Sequence, residues 1–267
     1  MDSNQIIAYF LALFVGISLG LIGSGGAILS VPILVYVLHI EPILATSYSL
    51  FVVGSTALIG GIQKAKQQLV DYRKVFLFGI PTLTAVFLTR FFIVPNIPKT
   101  IYFSSNFSIS KSILILLIFA IVMIFASLKM IRPLKEKSIN NNLKLNYPKI
   151  IFQAILIGFI AGFVGAGGGF LLIPALVFLA KTPMKTAIGT SLFIAATQSL
   201  IGFMGDYHSF NLINWTLLLK FSTFAIIGLF IGNQLSKKIA GEKLKTGFGY
   251  FVLLMGIYII IKELIFS

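Results

Sequence analysis

The 267-residue sequence has no cysteine, one tryptophan, two histidines and only seven acidic residues. The missing cysteines exclude disulfides, thiolate metal sites and a cysteine nucleophile. Charged residues make up 10% of the chain, where a soluble domain carries about a quarter; this argues against a water-soluble fold. No catalytic triad and no metal-ligand spacing emerges, so neither metal, cofactor nor enzyme chemistry is expected. All seven acids (Asp2, Glu41, Asp71, Glu136, Asp206, Glu242 and Glu263) fall at or near the ends of apolar segments or in loops, so a buried carboxylate proton relay is not expected.

What fills the sequence instead is apolar. Hydrophobic residues reach 58%, mean hydropathy is +1.01, and stretches such as 112–128 run without a charge. Helices span lipid by satisfying their own backbone hydrogen bonds, and the alternating runs of a membrane β-barrel are missing. The expected fold is an all-α polytopic membrane protein lying in a lipid bilayer. Ten apolar segments can be drawn, near 5–19, 26–39, 43–62, 74–94, 112–130, 149–164, 169–180, 185–203, 213–235 and 246–264. The first lacks a basic leader region, which predicts a mature helix rather than a cleaved signal peptide.

One glycine-rich phrase occurs twice, as GLIGSGGAILSVPIL at 20–34 and GFVGAGGGFLLIPAL at 162–176. Seven of the fifteen aligned positions are identical at a constant offset of 142, and agreement resumes at Ser49-Leu50-Phe51 against Ser191-Leu192-Phe193. The chain is thus duplicated: residues 1–130 form a first repeat, 131–148 a polar linker and 149–267 a second repeat.

Basic residues set the orientation. Lys64, Lys66, Arg73 and Lys74 form one cluster, and Lys129, Arg132, Lys135, Lys137, Lys144 and Lys149 bracket the linker. Lys181 with Lys185, and Lys237, Lys238, Lys243 and Lys245, complete sixteen of the 21 Lys and Arg. If each segment reverses direction, all four clusters share one side. The positive-inside rule makes that side, with linker 131–148, cytoplasmic and leaves both termini external. The same rule explains the net charge of +14 without nucleic acid. Five segments per repeat is odd, so the second repeat enters the membrane inverted, an arrangement that recurs in secondary transporters. Segments two and seven are shorter than the roughly 20 residues needed to span. Short Gly-tipped helix pairs that re-enter the membrane fit this; a tilted full crossing of the first segment is the alternative.

In the re-entrant version, 23–26 and 165–169 are hairpin tips, each opening a helix whose first N–H groups lack intrahelical partners. Such a terminus receives an anion. Ser24, Gly25, Gly26, Gly167, Gly168 and Gly169 are therefore candidate binding residues. Gly20, Gly23, Gly162 and Gly165 read more readily as close-packing positions, like the GxxxG pairs Gly16/Gly20, Gly158/Gly162 and Gly228/Gly232. Pro32 and Pro174 are expected to kink the two short helices. The neighbouring blocks ATSYS (45–49) and AIGTS (187–191) add the hydroxyls of Thr46, Ser47, Ser49, Thr190 and Ser191, donors suited to oxyanion oxygens. Gln198 is a weaker candidate. Hydroxyls in membrane helices also commonly bond their own backbone. Arg90 and Lys220 lie inside segments but near their ends, where snorkelling to the surface is the expected role.

These motifs resemble the sulfite exporter TauE/SafE family of membrane permeases. The resemblance rests on GSGGAILSVPIL and GAGGGFLLIPAL, each followed by an A-x-x-x-S block, on the basic linker, and on Asp71-Tyr72 and Asn214-Trp215 opening segments four and nine. It implies transport of sulfite, sulfonates or similar sulfur oxyanions across a bacterial plasma membrane. The copies differ, SGGA against AGGG and TSYS against IGTS. The expected function is a secondary transporter of a small sulfur-containing anion by alternating access; an anion channel on the same scaffold is the alternative.

Overall fold

The computed structural model describes residues 3–98, 100–104, 107–131, 147–165, 168–178, 180, 182–236 and 241–265. Linker residues 132–146 lie outside the described residues, as do Gly167 and both chain ends.

Helix α1 (Ser3–Ile22) runs into a 3-10 segment, Gly23–Leu29, and then α2 (Ser30–Tyr36). Helix α3 spans Pro42–Lys66. Helix α4 (Tyr72–Leu88) continues through a π-helical turn, Thr89–Ile93, into α5 (Val94–Asn96). A short antiparallel pair follows, β1 (Thr100–Ser104) and β2 (Phe107–Ser110), with Thr100 opposite Ser110. Then come α6 (Lys111–Ile131), α7 (Tyr147–Val164), α8 (Gly169–Phe178), α9 (Met184–Gly205), a 3-10 turn at Tyr207–Leu212, α10 (Trp215–Leu235) and α11 (Gly241–Ile265). The ten apolar segments of the sequence correspond to these helices, with α4 and α5 together forming the fourth and the 3-10 segment with α2 the second; the β pair was not foreseen.

Helix boundaries follow local chemistry. Asp71 Oδ1 accepts from the Lys74 N–H at 3.2 Å, and Asn214 Oδ1 from the Leu217 N–H at 3.1 Å, capping α4 and α10 in the same way. Helix α3 starts with proline at its first turn, where the missing N–H costs nothing. It stops in a Schellman arrangement: Gln68 adopts φ +58, its N–H donates to the Ala65 carbonyl at 2.9 Å, and the Leu69 N–H donates to that of Lys64 at 3.0 Å. The duplication is visible in the backbone. Leu38 donates to Ile33 and Ile40 to Leu34 after α2; Ala180 donates to Ala175 and Thr182 to Leu176 after α8, each at the offset of 142. Pro32 falls in the first turn of α2, and α8 runs through Pro174, so neither proline interrupts an assigned helix.

Among the described residues, seven helical spans are long and apolar enough to cross a membrane: 4–22, 42–66, 72–96, 111–128, 147–164, 184–205 and 215–235. Of these, α3 and α9 are the most enclosed, with 67% of their apolar windows buried against 33% for α7; they cross at the centre. Around them, α1 packs on α10, α4 on α7 and α6 on α11. Small residues permit the close approaches. A Cβ on Gly228 would land on the Leu13 carbonyl, one on Gly232 on the Ile17 carbonyl, and one on Gly158 on the Thr82 carbonyl. The outer faces carry exposed Phe76, Ile80, Phe125, Phe152, Leu156 and Leu254, a surface suited to lipid rather than water.

Candidate functional site

Helix α1 ends where Gly23 turns to φ +77, and α7 ends where Gly165 turns to φ +68. These positions are equivalent across the duplication, and both need a left-handed backbone that only glycine adopts cheaply. Each glycine also abuts the opposite half at equivalent residues. A Cβ on Gly23 would lie 2.9 Å from Ile188 Cγ2, while one on Gly165 would collide with Thr46. These two positions therefore combine close packing with a special turn.

The tips meet each other. Ser24 is fully buried and its hydroxyl donates to the Gly169 carbonyl at 2.8 Å. A Cβ on Gly169 would overlap the Ser24 side chain, and one on Gly168 would overlap Ala161 and lie 3.1 Å from Gln198 Nε2. Gly25 and Gly26 lie in the 3-10 segment at the first tip. Ser24, Gly168, Gly169 and Gln198 are thus gathered where the halves touch, with Thr46 beside Gly165.

The hydroxyls of the repeated blocks are buried but already engaged. Thr46 donates to the Ile43 carbonyl at 2.6 Å and Ser191 to that of Ile188 at 2.9 Å, each one turn back on its own helix. Ser49 contacts Ser30 through the hydroxyls at 2.5 Å, and Ser30 donates to the Ala27 carbonyl at 2.7 Å, tying α3 to the first tip helix. Thr190 faces elsewhere. Its oxygen accepts from the Asp71 N–H at 3.0 Å, and Tyr48, at the equivalent position, accepts from the Asn214 N–H at 2.5 Å. The central helix of each half thereby docks the start of the other half's fourth segment, and Thr190 stands apart from the tips.

Arg90 departs from expectation. It does not snorkel: its side chain is 1% exposed, and its Nη1 donates to Asp206 Oδ2 at 3.0 Å. Asp206, just past the end of α9, is buried as well, and Ser47 donates to the same carboxylate oxygen at 2.5 Å. Asp206 stands at a segment end, as the sequence indicates, yet it is buried, because the end of α9 is covered by α4 and α3 rather than left at the surface. Lys220 is exposed, as a snorkelling lysine requires. Beyond Arg90 the halves differ: the aligned Asn233 donates to Gln63 at 2.5 Å, a neutral amide pair.

The model of the Sulfite exporter TauE/SafE family matches residues 8–259. The chain belongs to that family. A "Probable membrane transporter protein" of Xylella fastidiosa (strain 9a5c) is 32% identical over 254 residues, covering 92% of this chain and 91% of its own. The "Probable membrane transporter protein YunE" of Bacillus subtilis is 27% identical, with 98% and 99% covered, and a similarly named protein of Methanocaldococcus jannaschii is 24% identical, with 94% and 95% covered. No solved structure matches the chain significantly.

This TauE/SafE member is a multi-pass membrane transporter, not a member of an enzyme family. Its described residues hold no group of three or more His, Asp or Glu able to bind a metal ion. Reading the sequence missed the interior placement of four polar residues, Arg90, Asp206, Thr56 and Ser199. Arg90 Nε and Nη2, Thr56 Oγ1 and Ser199 Oγ are buried with no hydrogen-bond partner among the described residues. Thr56 aligns with Gln198, a signal available from the duplication. For Arg90 and Asp206 the signal was their shared position, each at the far end of a segment that begins beside a basic cluster.

Proposed function

We propose that this protein is a secondary transporter carrying a small sulfur-containing anion, sulfite or a sulfonate, across the plasma membrane by alternating access. The observation that carries the reading is the meeting of the two glycine tips, with Ser24 bonded to Gly169 and both tips opened by left-handed glycines at equivalent positions. Two inverted repeats, 1–130 and 149–267, would be joined by a cytoplasmic linker at 131–148, with both termini external. The swapped packing of α1 on α10 and of α7 on α4 is what a two-fold relation between repeats produces. The 3-10 segment with α2, residues 23–36, and α8, residues 169–178, are both short of the roughly 20 residues that span, which supports re-entry from opposite faces.

In this mechanism Gly25, Gly26, Gly167, Gly168 and Gly169 supply backbone N–H groups to the anion. The hydroxyls of Ser24, Thr46, Ser49 and Ser191, with the Gln198 amide, would replace its hydration shell after rotating from their present partners. Thr190 is proposed as a docking residue instead, given its bond to Asp71. The family description, sulfite exporter, supports the class of cargo. The test is uptake of labelled sulfite, and separately thiosulfate, into proteoliposomes. Saturable uptake, lost in folded Gly25→Leu and Gly168→Leu proteins, is expected. Absence of flux for both ions with intact protein removes sulfur oxyanions as cargo.

A further inference from the structure

The buried guanidinium of Arg90 has more donors than the fold uses. Arginine carries five N–H groups in a planar fork, and here one contact, Nη1 to Asp206 Oδ2, is made at 3.0 Å. Nε and Nη2 have no hydrogen-bond partner among the described residues, although the side chain is 1% exposed. Arginine–carboxylate pairs are frequently bidentate, with two parallel N–H bonds to both oxygens. This pair leaves the Nε–Nη2 edge free.

That edge is aimed at the second tip. A Cβ built on Gly165 would fall on Arg90 Nη2 and on Thr46, so a glycine is required for the guanidinium to reach this point. Gly165 opens the turn that leads to the start of α8 at Gly169. Arg90 sits in the π-helical turn Thr89–Ile93, a local widening frequently found at functional sites. Asp206 and Ser47 fix the Nη1 side. The position aligned with Arg90 in the second repeat holds Asn233, a neutral amide bonded to Gln63.

We propose that Arg90 is the cationic anchor of the transported oxyanion, which would lie between the free Nε–Nη2 edge and the second glycine tip, with Asp206 and Ser47 as positioning residues. The inference rests on the anion-transport reading and adds the charged group that reading lacks; it also makes the two tips unequal, the second being the one that holds charge.

The experiment measures the unfolding midpoint of the purified protein against rising sulfite, thiosulfate, sulfate and phosphate, with labelled sulfite uptake run in parallel. The wild type is compared with Arg90→Gln/Asp206→Asn, which removes both charges together, and with Arg90→Lys, which keeps the ion pair but not the free edge. The wild type should be stabilised saturably by at least one oxyanion, and both variants should need at least tenfold more of it. Equal half-saturation in wild type and variants overturns the proposal, as does a wild type that no oxyanion stabilises. Should the double variant fail to fold, Arg90→Lys decides alone. Sulfite uptake with unchanged KM in the variants leaves transport standing and refutes the anchor. Oxyanion binding that depends on Arg90, without sulfite uptake, supports the anchor and refutes the cargo.

Discussion

Replacing Gly165 by alanine tests the tip geometry with one methyl group. Two costs add at this position. The backbone is at φ +68, where a left-handed non-glycine residue costs about 1–2 kcal/mol. The new Cβ would also overlap Thr46, a fully buried residue, and Arg90 Nη2, and forcing a methyl into a packed interior costs about 1–3 kcal/mol. Together they give about 2–5 kcal/mol, which for a chain of this size lowers the unfolding midpoint by about 5–15 °C. Gly23→Ala is the partner experiment. Its backbone is at φ +77, but its first obstacle is a single methyl, Ile188 Cγ2, at 2.9 Å, a milder overlap than that with Thr46 and Arg90 at Gly165, so the loss should be about 1–3 kcal/mol. Gly247→Ala is the control, in α11 with nothing within 4 Å of the added atom, and should be neutral or slightly stabilising. Thermal unfolding in one detergent would rank the three. A Gly165→Ala protein as stable as Gly247→Ala refutes the left-handed tip; one no worse than Gly23→Ala refutes the packing of Thr46 and Arg90 against it.

Other perturbations address separate parts of the molecule. Arg90→Gln alone strands a buried carboxylate and should destabilise by about 3–5 kcal/mol; adding Asp206→Asn should recover most of that loss, as a double-mutant unfolding cycle would show. Tyr48→Phe and Thr190→Val each leave a backbone N–H, of Asn214 or of Asp71, without its acceptor; each should cost about 1–3 kcal/mol in the same unfolding assay, with effects that add because the bonds share no residue. The cysteine-free background makes Ser138→Cys a clean topology probe: a membrane-impermeant thiol reagent should label it in inside-out vesicles and not in intact cells.

The legible part of this fold was what repeats or has a period. Apolar runs fixed the ten segments, and the phrase at 20–34 and 162–176 located both tips, because glycine and proline constrain the backbone wherever they stand. The cap at Asp71 was visible only as a motif shared with Asn214, since which residue accepts from which N–H is a matter of geometry. What stayed hidden depends on partners distant in sequence. The hydroxyl of Thr46 has the same composition whether it faces a ligand or bonds the Ile43 carbonyl. Arg90 and Asp206, 116 positions apart, read separately as end-of-segment charges. They become one buried pair only because α4 and α9 cross with those ends together. The β1–β2 pair was overlooked although TIYFS and FSIS carry β-branched, aromatic and alternating residues, because a stretch this short between two long apolar segments reads first as a connection.

The most direct test of the account is counterflow. Proteoliposomes loaded with unlabelled sulfite are diluted into trace labelled sulfite, and the label inside is followed over time. A carrier that exposes one site alternately to each side should accumulate label transiently above its equilibrium level, saturably and only with protein present. Uptake that rises to equilibrium without overshoot and without saturation would contradict the account and describe a channel.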